Sequence, residues 1–407
     1  METPFDTAHA SRPAKRNFFI NAILIVLASA GCNTGTGVED PAPPPSYAAV
    51  LRPQIEAVLA DTLTSGAVVL VRSPQGDWTE AFGTRARGSK DPVRVTDHFR
   101  VGSITKTWTG TVILQLVEEG RISLADPVSR FLPDVPNGAG ITIEHLLTMR
   151  SGLFNYSTDL AFNQSLDSNP GKTFTIEELL RIAYSHPVYF APGQAYRYSN
   201  TNTLLLGRII EKLTSMRAEE AFRTRLFAPL GLNDTLMPPL DNTALPEPFA
   251  RGYQFGTNVE TIDTSVLSQA RRNAAYAGKL LPMDATEWST SWGWTAGMGI
   301  STAGELAIYA RRLVAGGYLD ASLQAKRLAS CTSTDPSNPD AAGYCWGLAK
   351  FGSYYGHTGE IPGYNTFMGH DPVTGTTIVT WAALPSGPDG RPPAIEMARI
   401  IMNGVGR

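Results

Sequence analysis

Phe99-Arg100-Val101-Gly102-Ser103-Ile104-Thr105-Lys106 holds the only Ser-x-x-Lys of the chain. The stretch opens a segment whose apolar spacing predicts a helix over residues 104–119. On a helix, positions i and i+3 share a face, so Lys106 can reach the oxygen of Ser103. A lysine amine desolvated there could lose its charge and take the serine proton. The helix N-terminus adds partial positive charge where an oxyanion would form. A helix cap followed by a surface lysine would leave the same pattern, so the motif needs company.

Company comes downstream. Tyr198-Ser199-Asn200 lies in a segment read as extended, in which Tyr198 and Asn200 project to one side. A phenol can relay a proton, and an amide can orient the lysine or hold a substrate carbonyl. His357-Thr358-Gly359 precedes a predicted strand beginning at Tyr364. A glycine there allows close backbone approach. The following N–H, on Glu360, could pair with that of Ser103 as an oxyanion hole.

Composition narrows the field. The 407 residues are 43% hydrophobic and 17% charged, which permits a large core and argues against disorder. A net charge of −3 is not that of a nucleic-acid binder. Three cysteines cannot make a four-cysteine zinc site, and six scattered histidines do not pair at ligand spacing. The phosphate-loop, dinucleotide and Gly-x-Ser-x-Gly fingerprints are missing too. No metal and no cofactor is called for.

Residues 1–31 read as an export signal. Arg12, Lys15 and Arg16 precede an apolar run over residues 18–30, short for a membrane span. Ser29-Ala30-Gly31-Cys32 resembles the lipobox of bacterial lipoproteins, with Ser29 in place of the usual leucine. Cys32 is then the lipidation site, and residues 32–46 read as a Pro/Gly tether. The expected location is the cell envelope or periplasm, held to a membrane by the lipid. In an oxidising compartment, Cys331 and Cys345 could close a disulfide or remain free thiols.

The mature chain, residues 47–403, has strands at both ends and a helical centre. A helix over residues 47–63, with Val50, Ile55, Val58, Leu59 and Leu63 on one face, precedes strands over 66–71 and 78–82. Strands over 364–368 and 376–383 precede a C-terminal helix with Ile395, Ala398, Ile401 and Met402 on one face. From 103 to about 313 the period is helical, with a second clear helix over 203–213. The economical architecture is α/β of the α+β kind: one antiparallel sheet from both chain ends, flanked by helices, with a helical region inserted.

Ser-x-x-Lys, Tyr-x-Asn and His-Thr-Gly, in that order, resemble the serine penicillin-recognising family of DD-peptidases, class C β-lactamases and related esterases. Gly120-Arg121-Ile122-Ser123-Leu124-Ala125-Asp126-Pro127-Val128, Ile143-Glu144-His145-Leu146-Leu147-Thr148 and Ala296-Gly297-Met298-Gly299-Ile300-Ser301-Thr302 are similar to further family stretches. The resemblance implies a β-lactamase/transpeptidase-like fold and an acyl-enzyme at Ser103. It makes Lys106 the expected base and Tyr198 the relay of the proton to the leaving group, with Asn200 in support; within this class tyrosine is argued as the base as well. His357 and Thr358 would line the facing wall, and Trp292 the cleft or the core. Histidine in the third motif resembles the exported D-alanyl-D-alanine carboxypeptidase/transpeptidase branch. The first expectation is therefore a penicillin-binding carboxypeptidase acting on peptidoglycan stem peptides. An esterase, a D-aminopeptidase or amidase, or a weak β-lactamase on the same scaffold is the alternative. A catalytically silent envelope lipoprotein that binds peptidoglycan is a third class.

Glu360 departs from the peptidase pattern. Strand alternation places it on the side of Thr358, where a carboxylate would repel a carboxylate substrate. Lys350 is a candidate intervening cation. Otherwise Glu360 points to solvent, or it faces the cleft and the substrate is neutral or carries an amine.

Overall fold

Ala67, Val69 and Val71 point to one side of a strand, Val68 and Leu70 to the other, and all are buried. A strand apolar on both faces must be covered on both. The computed structural model, which describes residues 43–338 and 341–405, shows the covering layers. The export segment, Cys32 and most of the tether lie outside the described residues.

The sheet strands are β1 (Gly66–Arg72), β2 (Trp78–Gly83), β3 (Thr332–Ser333), β4 (Gly343–Cys345), β5 (Leu348–Phe351), β6 (Tyr354–Ile361), β7 (Tyr364–His370) and β8 (Thr377–Ala382). Their order is β2-β1-β8-β7-β6-β5-β4-β3, antiparallel throughout, so the two chain ends meet at β1 and β8. Helices α1 (Ser46–Thr62) and α6 (Pro393–Gly404) cover one face. Helices α2 (Thr105–Glu118), α3 (Asn200–Thr214) and α4 (Ala303–Ala315) build the core on the other, and α5 (Ala321–Ala329) leads into the β3 edge. No helix of the described residues is long and apolar enough to cross a membrane.

Two apolar faces sit differently from their sequence reading. Val50 is 67% exposed, and α1 buries Leu51, Ile55, Val58 and Leu59 instead. In α6 the buried stripe is Ala394, Met397, Ala398 and Ile401, which leaves Ile395 and Met402 at its margins. That helix starts on Pro392 and Pro393, with no capping side chain of its own. Asn365 of β7 supplies the cap: its Oδ1 accepts from the N–H groups of Ala394 and Ile395 at 2.9 and 3.2 Å. The strand thereby fixes the helix start. At the opposite edge, Cys331 and Cys345 are joined in a disulfide that ties the short strand β3 to β4.

Candidate active site

Ser103 stands in a single 3₁₀ turn, Gly102–Ile104, immediately before α2. Thr105 pins that turn. Its Oγ1 donates to the Gly102 carbonyl at 2.8 Å and accepts from the Gly299 N–H at 3.0 Å. The turn also lies against β6. Gly102 has φ +54°, and a Cβ there would lie 2.7 Å from the Glu360 nitrogen; a Cβ on Gly359 would lie 2.0 Å from the Val101 carbonyl. Only glycine at both positions lets strand and turn touch backbone to backbone. The N–H groups of Ser103 and Glu360 are thus brought to neighbouring positions beside the hydroxyl.

Lys106 is 2% exposed. Its Nζ lies 2.9 Å from Ser103 Oγ and 2.7 Å from the Ala296 carbonyl. Burial drives the amine's pKa well below its ordinary value, and no carboxylate opposes that. A neutral amine suits both contacts: it donates one N–H to Ala296 and turns its lone pair to the serine hydroxyl.

Tyr198 lies close enough to Ser103 to interact with it, and Lys106 Nζ is 4.8 Å from its ring centroid. Burial of the hydroxyl raises its pKa, so the phenol keeps its proton and can donate it. Of Lys106 and Tyr198, the lysine is therefore the group prepared to accept a proton.

Asn200 departs from the sequence reading. It is the first residue of α3 rather than part of an extended run; the extended backbone ends at the cap, Ser199. Its Nδ2 donates to Ser157 Oγ at 3.0 Å, and its Oδ1 is buried without a partner among the described residues. The group that orients the lysine is the Ala296 carbonyl.

His357 sits inside the wall instead of lining it. It is 3% exposed, bonded through Nε2 to the Tyr344 hydroxyl at 3.2 Å, with Tyr198 6.3 Å away ring to ring. Burial first, and Lys106 second, push the imidazole down to about 3, so it is neutral. Thr358 is partly exposed, and its carbonyl accepts from His357 Nδ1 at 2.6 Å.

Glu360 and Trp292 line one cavity of about 150 Å³. Glu360 is exposed, at the solvent end of that cavity's lining. Desolvation by the surrounding protein raises its carboxyl to about 7. Trp292 serves the core as well: its carbonyl accepts from the Tyr156 hydroxyl, and its indole meets Phe162 edge-on. Lys350 is no counter-ion for Glu360. It pairs in register with Tyr355, five residues and ~17 Å along β6 from Glu360, and its amine stacks over the Tyr355 ring.

Sequence reasoning missed three parts of this arrangement. The Ala296 carbonyl lies in a stretch already singled out, but a backbone acceptor leaves no side-chain signal. Ser157, partner of Asn200 Nδ2, lies 43 residues upstream of it, and no spacing rule links the two. Tyr344 carries no signal beyond its place beside Cys345. No group of three or more His, Cys, Asp or Glu suited to a metal occurs among the described residues.

A serine and a buried amine one helical turn apart, with the serine's own N–H beside that of Glu360 on a sheet strand, define a serine hydrolase of β-lactamase/transpeptidase-like fold. The chain belongs to the Beta-lactamase family, whose model matches residues 52–400. It is 32% identical over 193 residues to penicillin-binding protein 4* of Bacillus subtilis, covering 44% of this chain and 40% of that protein. It is 31% identical over 226 residues to esterase EstB of Burkholderia gladioli, covering 52% of this chain and 56% of the esterase. The chain thus spans about half the length of these relatives. A D-stereospecific amidohydrolase from a Streptomyces species superposes with a TM-score of 0.73 at 29% identity, over 88% of this chain and 98% of the other.

Proposed function

We propose that this hydrolase cleaves amides or esters of amino acids that carry a free α-ammonium group, through an acyl-enzyme at Ser103. Lys106 takes the Ser103 proton as Oγ attacks the substrate carbonyl. The oxyanion meets the N–H groups of Ser103 and Glu360. Tyr198 gives a proton to the departing amine or alcohol and recovers one from Lys106. Water then attacks the acyl-enzyme along the reverse path.

The observation that carries the reading is Glu360, whose N–H stands beside Ser103, on a cavity with no arginine or lysine among its lining residues. Such a site attracts a cation and repels a C-terminal carboxylate. The likeness to the D-stereospecific amidohydrolase supports it. A D-alanyl-D-alanine carboxypeptidase is the second reading, favoured by His357-Thr358-Gly359 and by the identity to penicillin-binding protein 4*. Export and attachment through Cys32 belong to either reading on the strength of Ser29-Ala30-Gly31-Cys32.

The test compares three substrates on the chain from Asn33 onward: a D-amino-acid amide, its N-acetyl derivative, and an acyl-D-Ala-D-Ala peptide. Turnover of the free-amine amide alone is expected. Release of D-alanine from the peptide, with the amide untouched, would replace this reading by the carboxypeptidase.

A further inference from the structure

The cavity beside Glu360 extends past the carboxylate. Phe162, Leu166, Phe255 and Trp292 contribute apolar walls, and Gln254 contributes an amide. Gln254 belongs to the two-residue strand Tyr253–Gln254. Tyr253 packs into a separate apolar cluster, so alternation turns Gln254 the other way, toward the cavity.

Gln254 is 7% exposed, its amide atoms keep some access to the cavity, and no described residue bonds them. An amide without a protein partner beside a cavity is available to what enters it. The wall beside it is held in place. Asp167 accepts from the N–H and Nδ2 of Asn258 at 2.7 and 2.8 Å, and from the Val259 N–H at 3.0 Å. A volume of about 150 Å³ is too small for a peptide and matches cavities that take up one benzene ring.

Building on the proposed free-amine specificity, we infer that this cavity is the side-chain subsite, sized for one aromatic ring with a polar tip. Tyrosine amide is the type substrate. Glu360 holds the ammonium, the aromatic walls take the ring, and Gln254 bonds the phenol hydroxyl. Gln254 is a specificity-determining residue; it moves no proton and touches no reacting atom.

The experiment measures kcat/KM for the amides of alanine, phenylalanine and tyrosine, D- and L-forms side by side, on the wild-type chain, Gln254→Met and Leu166→Phe. In the wild type, the tyrosine amide should exceed the phenylalanine amide by about 10-fold, the worth of one neutral hydrogen bond. The alanine amide should fall about 100-fold below tyrosine, through loss of the buried ring as well. Gln254→Met should erase the tyrosine advantage and spare phenylalanine. Leu166→Phe fills the cavity, so it should suppress both ring substrates and spare alanine. Equal rates across the wild-type panel, or a Gln254→Met loss shared by tyrosine and phenylalanine, would overturn the subsite alone. Failure to turn over any free-amine amide would overturn the proposed function with it.

Discussion

Lys106 Nζ and Ser103 Oγ lie 2.9 Å apart, and among the described residues the amine's one other hydrogen bond is to the Ala296 carbonyl. The geometry lets a buried neutral amine act on the serine without a carboxylate. General-base assistance contributes about 10²–10⁴-fold. Lys106→Ala should therefore slow acylation by an activated ester by that order. Lys106→Arg should do no better, because guanidinium keeps its proton. Ser103→Ala should abolish the covalent adduct. Intact mass followed over time reads all three, and acylation of Lys106→Ala at the wild-type rate would remove lysine from the role of base.

Gly102 offers a test of the oxyanion hole that leaves every catalytic side chain in place. Alanine there must adopt φ +54° and place its Cβ 2.7 Å from the Glu360 nitrogen. Turn and strand must then separate, which moves one N–H away from the developing oxyanion. Loss of one such donor costs about 10²–10³ in kcat. Gly102→Ala should fall by that order on esters and amides alike, with KM little changed. A variant that folds and keeps its kcat would place the oxyanion elsewhere.

The limits of the sequence follow from what side-chain patterns can record. β1 was legible because an unbroken Gly66–Val71 apolar run fits a strand covered on both faces. Ser103 and Lys106 were legible because helical spacing alone sets their approach. The α1 stripe was read one residue off, at Val50 instead of Leu51, because both are apolar and only packing against α6 separates them. Asn200 was misplaced because a residue just inside a helix start and one in an extended run read alike. The contacts of Ala296 and Tyr344 join segments far apart in the chain, and no local spacing encodes them. Whether Glu360 meets solvent or cleft depends on walls supplied by residues 157–166 and 254–265.

Tyr344 links the edge of the sheet to the site. Its hydroxyl is the partner of His357 Nε2, and it neighbours Cys345, whose disulfide to Cys331 closes a separation of 14 residues. Tyr344→Phe leaves a buried imidazole nitrogen unpaired, at about 1–3 kcal/mol. Reduction of the disulfide should cost roughly 3 kcal/mol in the chain-entropy model. Thermal unfolding should show a lower Tm for both. The Tyr344→Phe loss should largely disappear when His357→Phe is added, since no unpaired nitrogen then remains. Additive losses in the double variant would show that the bond stabilises nothing.

Glu360 makes a prediction about pH that separates it from every other group. Its carboxyl is raised to about 7, so below that pH it is protonated and cannot pair with an ammonium. The kcat/KM of a free-amine amide should rise as pH climbs through about 7. It should fall again as the substrate's own α-amino group, near 8 when unperturbed, loses its proton. Lys106 must also be neutral to act, and its titration adds an acid limb common to all substrates. Dividing the free-amine profile by that of the N-acetyl ester cancels this shared factor and leaves the Glu360 limb alone. In Glu360→Gln the limb should vanish, with free-amine substrates losing at least 10-fold while the neutral ester keeps its rate. With substrate bound, the ammonium favours the ionised carboxylate, so the limb should move to lower pH in kcat than in kcat/KM. A ratio flat across pH 5–9 in the wild type would mean that Glu360 does not meet the substrate's charge.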